Sequence, residues 1–252
     1  MKILFTICGR AGSKGIKNKN LKSFIGYPLP YYTLAVIDLF MRKHTQNEYV
    51  TVLNTDSDDL ISLVRTYKNI HVHVVDRPSK LAEDNAPKVP VIEYSYSKIC
   101  EALNMDFDMV VDLDLTSPLR TLRDLESLIS KRANSTADVI FSVTDSRRNP
   151  YFNMVKKTDD GYERVINSNY NARQEAPEIF DMNASMYAYK PAFLLSGKGI
   201  FDGVCDVVKM MDTAVLDMDH ETDLIFMELI GKYLYDNDEC FKAIYNHISS
   251  IR

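Results

Sequence analysis

Apolar runs and amphipathic stretches take turns along most of this chain. The first run, Ile3-Leu-Phe-Thr-Ile-Cys8, has the length and β-branched content of a strand buried on both faces, as in a parallel sheet. Residues 28–43 (PLPYYTLAVIDLFMRK) predict an amphipathic helix with Pro near its first turn, where a missing N–H costs nothing. A second strand is expected over 49–53, ending in Asn54-Thr-Asp-Ser-Asp58, whose Asp and Ser side chains can cap a helix to about Tyr67. A third follows over 70–75 with His71 and His73 on one face; the two could bind a metal, but alternation on a half-buried strand accounts for them. A helix over 88–103, a strand over 109–114 that turns polar at its carboxyl end, a helix from the Thr116-Ser-Pro-Leu-Arg-Thr121 segment to about Arg132, and a strand over 139–143 continue the alternation. The rhythm fails over 145–182, which predicts a projecting arm or extra hairpin. A strand resumes over 183–189, and a last one is expected over Val215-Leu-Asp-Met-Asp219, running into an apolar helix over 221–235 and a terminal helix over 237–252. Strands and helices at these intervals predict right-handed βαβ units, a mostly parallel sheet and one α/β domain over 1–252.

Composition narrows the function classes. A chain of 252 residues is ample to bury a core, and its net charge of -5 argues against a general nucleic-acid binder, which shows a basic face. Cys8, Cys100, Cys205 and Cys240 are widely spaced without a C-x-x-C or a zinc interval, as expected of reduced thiols in a cytoplasmic protein. The first apolar run is too short, and too soon followed by charge, for a secretory signal, and no stretch approaches the ~18 apolar residues of a membrane span.

Against that acidic background the segment from Met1 to Ile37 carries six Lys or Arg and no Asp or Glu. Gly9, Gly12 and Gly15 let the backbone turn tightly after the first strand and aim N–H groups at phosphate oxygens, while Arg10, Lys14 and Lys19 add charge-assisted hydrogen bonds. The G-x-x-G-x-x-G spacing is neither the dinucleotide fingerprint nor the common phosphate loop, so the segment reads as a polyphosphate cradle of another kind. Two aspartate pairs at i, i+2 stand at expected strand ends, Asp112 with Asp114 and Asp217 with Asp219. On a strand each pair shares a face and could hold magnesium against phosphates. A solvated strand end or a helix cap would explain either pair equally well, and spacing does not say which one holds the metal. Ligands of open parallel sheets lie beyond the carboxyl ends of the strands, where loop and acid pairs would meet.

In its order Arg10, Ser13-Lys14-Gly15 and Lys19-Asn20, the loop resembles the signature of the cytidylyltransferases that activate sialic acid and related nonulosonic acids. Arg77-Pro with Leu81-Ala and Asp84, then Thr116-Ser-Pro-Leu-Arg-Thr121, Asn183 and Asp217-Met-Asp219 resemble later family segments in the same order. The resemblance implies a three-layer Rossmann-like nucleotidyltransferase fold with an inserted dimerisation arm over 145–182. It further implies transfer of CMP from CTP to a 2-keto sugar acid with magnesium, in a homodimer. Arg10, Ser13, Lys14, Lys19, Asn20 and Arg77 would bind the nucleotide, and Lys19, Arg10 and Asp217 would serve catalysis. Asp217 and Asp219 would hold the metal; Asp114, Thr116, Ser117 and Arg173 would meet the sugar, Arg173 from the arm of a neighbouring subunit. Sialic-acid enzymes show Gln before Pro-Thr-Ser-Pro where this chain has Asp114 before Leu115-Thr-Ser-Pro, and Arg where it has Asp181. With Arg147-Arg148-Asn-Pro-Tyr-Phe152 and Arg173-Gln-Glu-Ala-Pro177, these departures resemble most the branch that activates legionaminic acid. Two rivals stand beside this reading: a glycosyltransferase using Asp112 and Asp114 as its metal motif, and a nucleotide-binding protein without turnover.

Overall fold

The computed structural model describes residues 1–12, 15–170, 173–216 and 218–251. Among these residues eleven strands and seven α-helices follow in chain order: β1 (Lys2–Cys8), β2 (Ser23–Phe24), β3 (Tyr27–Pro28), α1 (Leu29–Lys43), β4 (Glu48–Thr55), α2 (Asp58–Arg65), β5 (Val72–Asp76), α3 (Lys88–Leu103), β6 (Met109–Leu113), α4 (Leu122–Asn134), β7 (Val139–Asp145), β8 (Val155–Thr158), β9 (Gly161–Arg164), β10 (Phe180–Tyr189), α5 (Pro191–Leu194), β11 (Cys205–Lys209), α6 (Glu221–Asn237) and α7 (Glu239–Ser249). Seven strands form one sheet in the order β11-β7-β10-β6-β1-β4-β5. All its neighbours pair in parallel except β10, which runs antiparallel to both β6 and β7.

Side-chain alternation along β1 divides the core between the two faces. Ile3, Phe5 and Ile7 point into one apolar cluster with α1, α4, α6 and α7, while Leu4 points into a second with α3 and α5. The chain is therefore helix on sheet on helix. Local signals start the helices where expected: Ser57 Oγ accepts the Leu60 N–H of α2 at 3.2 Å, and Thr121 with Asp124 forms a reciprocal capping box on α4.

Three expectations need correction. The strand expected over 215–219 is absent from the described residues of that segment: Asp212–Val215 is a 3-10 turn leading toward α6, and Leu216, Met218 and Asp219 belong to no strand. The edge strand is instead β11, whose Cys-Asp-Val-Val-Lys sequence buries only Val208 and so carries too weak an apolar pattern to be recognised. The third strand begins at Val72, leaving His71 just outside it with its ring 4.5 Å from that of His73, edge to face. The strand expected over 183–189 starts earlier, at Phe180, and is interrupted by a bulge where Ala184 adopts φ 50°. Within the arm, β8 and β9 form a separate two-stranded ribbon.

Candidate active site

The site assembles at the carboxyl ends of β1, β4 and β6. Beyond β1 the backbone of Gly9 donates to the Asn54 carbonyl of β4 at 3.1 Å, and Gly12 turns the loop at φ 69°. Ala11 N–H donates to Asp56 at 2.7 Å, and Asn20 reaches back to the Arg10 carbonyl at 3.1 Å, so the loop is tied to its neighbours before any ligand arrives. Arg10 Nη1 lies 2.5 Å from Asp84 Oδ1. Arg77 is fixed at the end of β4 by Asn54, whose Oδ1 and carbonyl accept from its guanidinium at 2.6 and 2.9 Å.

The basic loop and the late acidic segment meet. Lys19 Nζ is 3.3 Å from Asp219 Oδ1 and Lys22 Nζ is 2.9 Å from Glu221. A Cβ placed on Gly15 would stand 2.2 Å from the Asp219 carbonyl oxygen, so the two backbones touch where only glycine fits. Asp219 N–H and His220 N–H both donate to Asp223, which caps α6. Asp219 thus presents an exposed carboxylate at the mouth of the site without serving as the cap itself. Its side chain suits a hard cation in chemistry and position. Ser13, Lys14 and Asp217 lie outside the described residues, as does the side chain of Arg173, whose backbone opens a 3-10 turn. Among the described residues no cluster of three or more His, Cys, Asp or Glu could hold a metal.

Cys8, Gly9, Arg10, Lys19, Asn20, Arg77, Asp84, Lys88, Asp114 and Thr116 share a cleft of about 260 Å³. A larger hollow beside His71 and His73, of about 620 Å³, lies along the edge strand β5 and gathers none of these groups. Four of the described nucleotide-side residues, Arg10, Lys19, Asn20 and Arg77, therefore come together with Asp114 and Thr116. Ser117 is placed differently: it is 8% exposed and its carbonyl accepts from Arg120, turned into the protein.

The floor of the cleft holds an ion network. Lys88, in the first turn of α3, places Nζ 2.8 Å from Asp112 and 3.1 Å from Asp114. Asp112 is fully buried and also accepts from the Thr6 hydroxyl at 2.8 Å. Burial works against the Lys88 ammonium, but the two carboxylates outweigh it and hold its pKa well above the usual value. Asp114 is likewise held far below the carboxylate range: burial opposes its charge, and Lys88 together with the Thr116 hydroxyl and N–H overcomes that. The i, i+2 geometry expected of this pair is real, yet the cation between the carboxylates is a lysine. That arrangement removes the open acid pair a glycosyltransferase would need there. Burial first, and then Asp112, raise the Cys8 thiol, so it is no nucleophile near neutral pH.

Behind the floor, fully buried Arg120 donates to the Ser117, Ser185 and Asp114 carbonyls and to Thr33 Oγ1. Burial brings its pKa down to about 10. This clamp sets the turn that carries Asp114 and Thr116. Neither Lys88 nor Arg120 stands out in the sequence as a site residue. For Lys88 a signal exists: a cation in the first turn of a helix opposes the macrodipole, and α3 has no acid there.

Comparisons with known proteins give the family and the fold. The profile of the family described as cytidylyltransferase matches residues 4–203. The chain is 30% identical over 230 residues to post-translational flagellin modification protein B of Campylobacter coli, covering 91% of this chain and 95% of that protein. It is 30% identical over 231 residues to CMP-N,N'-diacetyllegionaminic acid synthase of Campylobacter jejuni, covering 90% and 94%. Among solved structures, CMP:2-keto-3-deoxy-manno-octonic acid synthetase complexed with CTP superposes with a TM-score of 0.66 at 13% identity, over 92% of this chain and 99% of that one, a likeness of fold.

Proposed function

The chain belongs to the cytidylyltransferase family, and from that premise we propose that it transfers CMP from CTP to the anomeric hydroxyl of a nonulosonic acid, of the legionaminic or sialic type. The hydroxyl oxygen attacks the α-phosphorus, the bond from that phosphorus to the β-phosphate bridge breaks, pyrophosphate leaves and the hydroxyl loses its proton. The observation that carries this reading is the contact of Lys19 with Asp219 across the mouth of one cleft that Arg10, Asn20 and Arg77 also line.

In this reading Arg10, Ser13, Lys14 and Lys19 hold the triphosphate, with Lys19 nearest the α-phosphate, and Arg77 with Asn20 lies on the cytidine side. Such transfer asks a protein chiefly for position and for positive charge against developing negative charge. Asp217 and Asp219 would hold magnesium, which supplies further positive charge to the phosphates when bound. On the acceptor side, Asp114 and Thr116 face the sugar acid together with Arg173. The Asp114 carboxylate favours a guest with donor groups, as a diamino sugar acid has. Arg173 comes from the arm of a second copy in a homodimer, and four unpaired cysteines suit a reducing compartment such as the cytoplasm.

A panel of nonulosonic acids incubated with CTP and magnesium tests the proposal, with pyrophosphate release as the readout. A diacetamido acid should turn over fastest. Transfer of sugar from a ready-made nucleotide sugar would instead support a glycosyltransferase, and CTP binding with no turnover on any acid would support a silent binder.

A further inference from the structure

The basic loop is less naked than its sequence implies. Four cationic side chains, Arg10, Lys19, Arg77 and Lys88, line the cleft with three carboxylates, Glu83, Asp84 and Asp114. Lys88 is held by Asp112 and Asp114 on the floor, and Arg77 by Asn54 at the end of β4. Arg10 is held differently. Its partner Asp84 lies in the cleft wall, on the connection between the 3-10 turn Ser79–Leu81 and α3, and both side chains remain partly open to solvent.

We propose that Asp84 sets how tightly the site holds polyphosphate: a resident anion on Arg10 that an incoming triphosphate displaces and that returns as pyrophosphate leaves. The inference rests on the cytidylyltransferase reading above and extends it. A guanidinium serves a phosphate best through two parallel N–H groups, and Asp84 occupies Nη1 of that fork at 2.5 Å. Any phosphate ligand must break this pair and then tolerate the displaced carboxylate nearby. The cost falls on substrate and product alike and raises both dissociation constants by the same factor. CTP keeps useful affinity through its cytidine contacts, whereas free pyrophosphate, which has none, is left weakly held, in a class of enzyme where product release can limit turnover.

The test is calorimetric titration of inorganic pyrophosphate, and separately of CTP, each with magnesium, into the native protein and the Asp84→Asn, Asp84→Ala and Asp84→Glu variants. A partly exposed ion pair contributes up to about 1 kcal/mol, so both neutral variants should bind pyrophosphate about fivefold more tightly. Asp84→Glu, which keeps the charge, should stay within about twofold of native. In turnover assays the neutral variants should show a lower KM for CTP and stronger inhibition by pyrophosphate, with no gain in kcat. Two neutral variants that fold, bind CTP and hold pyrophosphate no tighter than native overturn the role of Asp84 alone. A native protein that binds no CTP overturns the family-based reading of the site and this inference with it.

Discussion

Lys88 is the residue whose removal should be felt in the stability of the fold. Asp112 is fully buried, and without the ammonium 2.8 Å away it would be a buried carboxylate lacking its cation. Breaking such a pair from one side costs several kcal/mol, and the partial exposure of Lys88 reduces this, so Lys88→Met should lose about 3 kcal/mol in urea unfolding. Adding Asp112→Asn to Lys88→Met should recover much of that loss; equal stability of native and Lys88→Met would contradict the account. Lys19 makes the opposite case. Its ammonium reaches Asp219 at the mouth of the cleft, where an exposed pair adds little to stability. Lys19→Ala should therefore leave the melting temperature nearly unchanged and reduce kcat by about 100-fold or more, as the loss of one preorganised transition-state donor does. Comparable losses in kcat and in CTP affinity would remove Lys19 from the α-phosphate.

Elements matter through the contacts that aim them. Gly15 brings the basic loop against the segment before α6, and a Cβ there would meet the Asp219 carbonyl at 2.2 Å, a backbone atom that cannot swing away. Gly15→Ala should separate loop from acidic segment and lower kcat/KM by about 100-fold, the scale that a misplacement of about 1 Å produces, with little change in unfolding. In the same helical layer, Asp38 of α1 gathers α7 and the turn after α2 around one buried carboxylate: His247 at 2.7 Å, Arg42 at 2.7 Å and Asn69 at 2.9 Å. Burial opposes its charge, but these hydrogen bonds prevail and bring its pKa down to about 2. A depressed carboxylate contributes stability that is complete above its unfolded pKa of ~4 and disappears as pH falls through the folded value. Asp38→Asn should thus be about 2 kcal/mol less stable than native at pH 6, with the difference vanishing near pH 2. A difference independent of pH would exclude this linkage. The same scale explains what the sequence shows and hides. The strands β1, β4, β6 and β7 and the helices α1 and α3 are legible because each carries an unbroken run or a clear period. β11 is not, because an edge strand with one buried side chain leaves almost no pattern, and the Val215–Asp219 segment imitates one. Of the site, the cation loop is visible from composition alone. The partnership of Lys88 with two aspartates is not, since it joins a helix start to a strand end that only the fold brings together.

For the whole molecule, the arm is a part that leaves apolar side chains open. Its β8–β9 ribbon has only two short strands, Val155 and Tyr162 are 65% and 74% exposed, and among the described residues no helix of the main body packs on it with more than slight contact. A lone hairpin of this length is marginal in water, so it needs an apolar cover. The proposed homodimer supplies one from a second copy and at the same time brings Arg173 to the neighbouring acceptor site. These two consequences can be separated. Placing charge on the ribbon, as Val155→Lys with Tyr162→Lys, should shift the mass measured by sedimentation from two chains to one while the main body melts as before. Because the acceptor site then loses its contribution from the partner, activity should fall in parallel, chiefly as a higher KM for the sugar acid with that for CTP nearly unchanged. Arg173→Ala should reproduce the kinetic defect without dissociating the chains. If the doubly charged ribbon gives a monomer that keeps the native KM for the sugar acid, the arm joins subunits but does not complete the neighbouring site, and the acceptor is bound within a single chain.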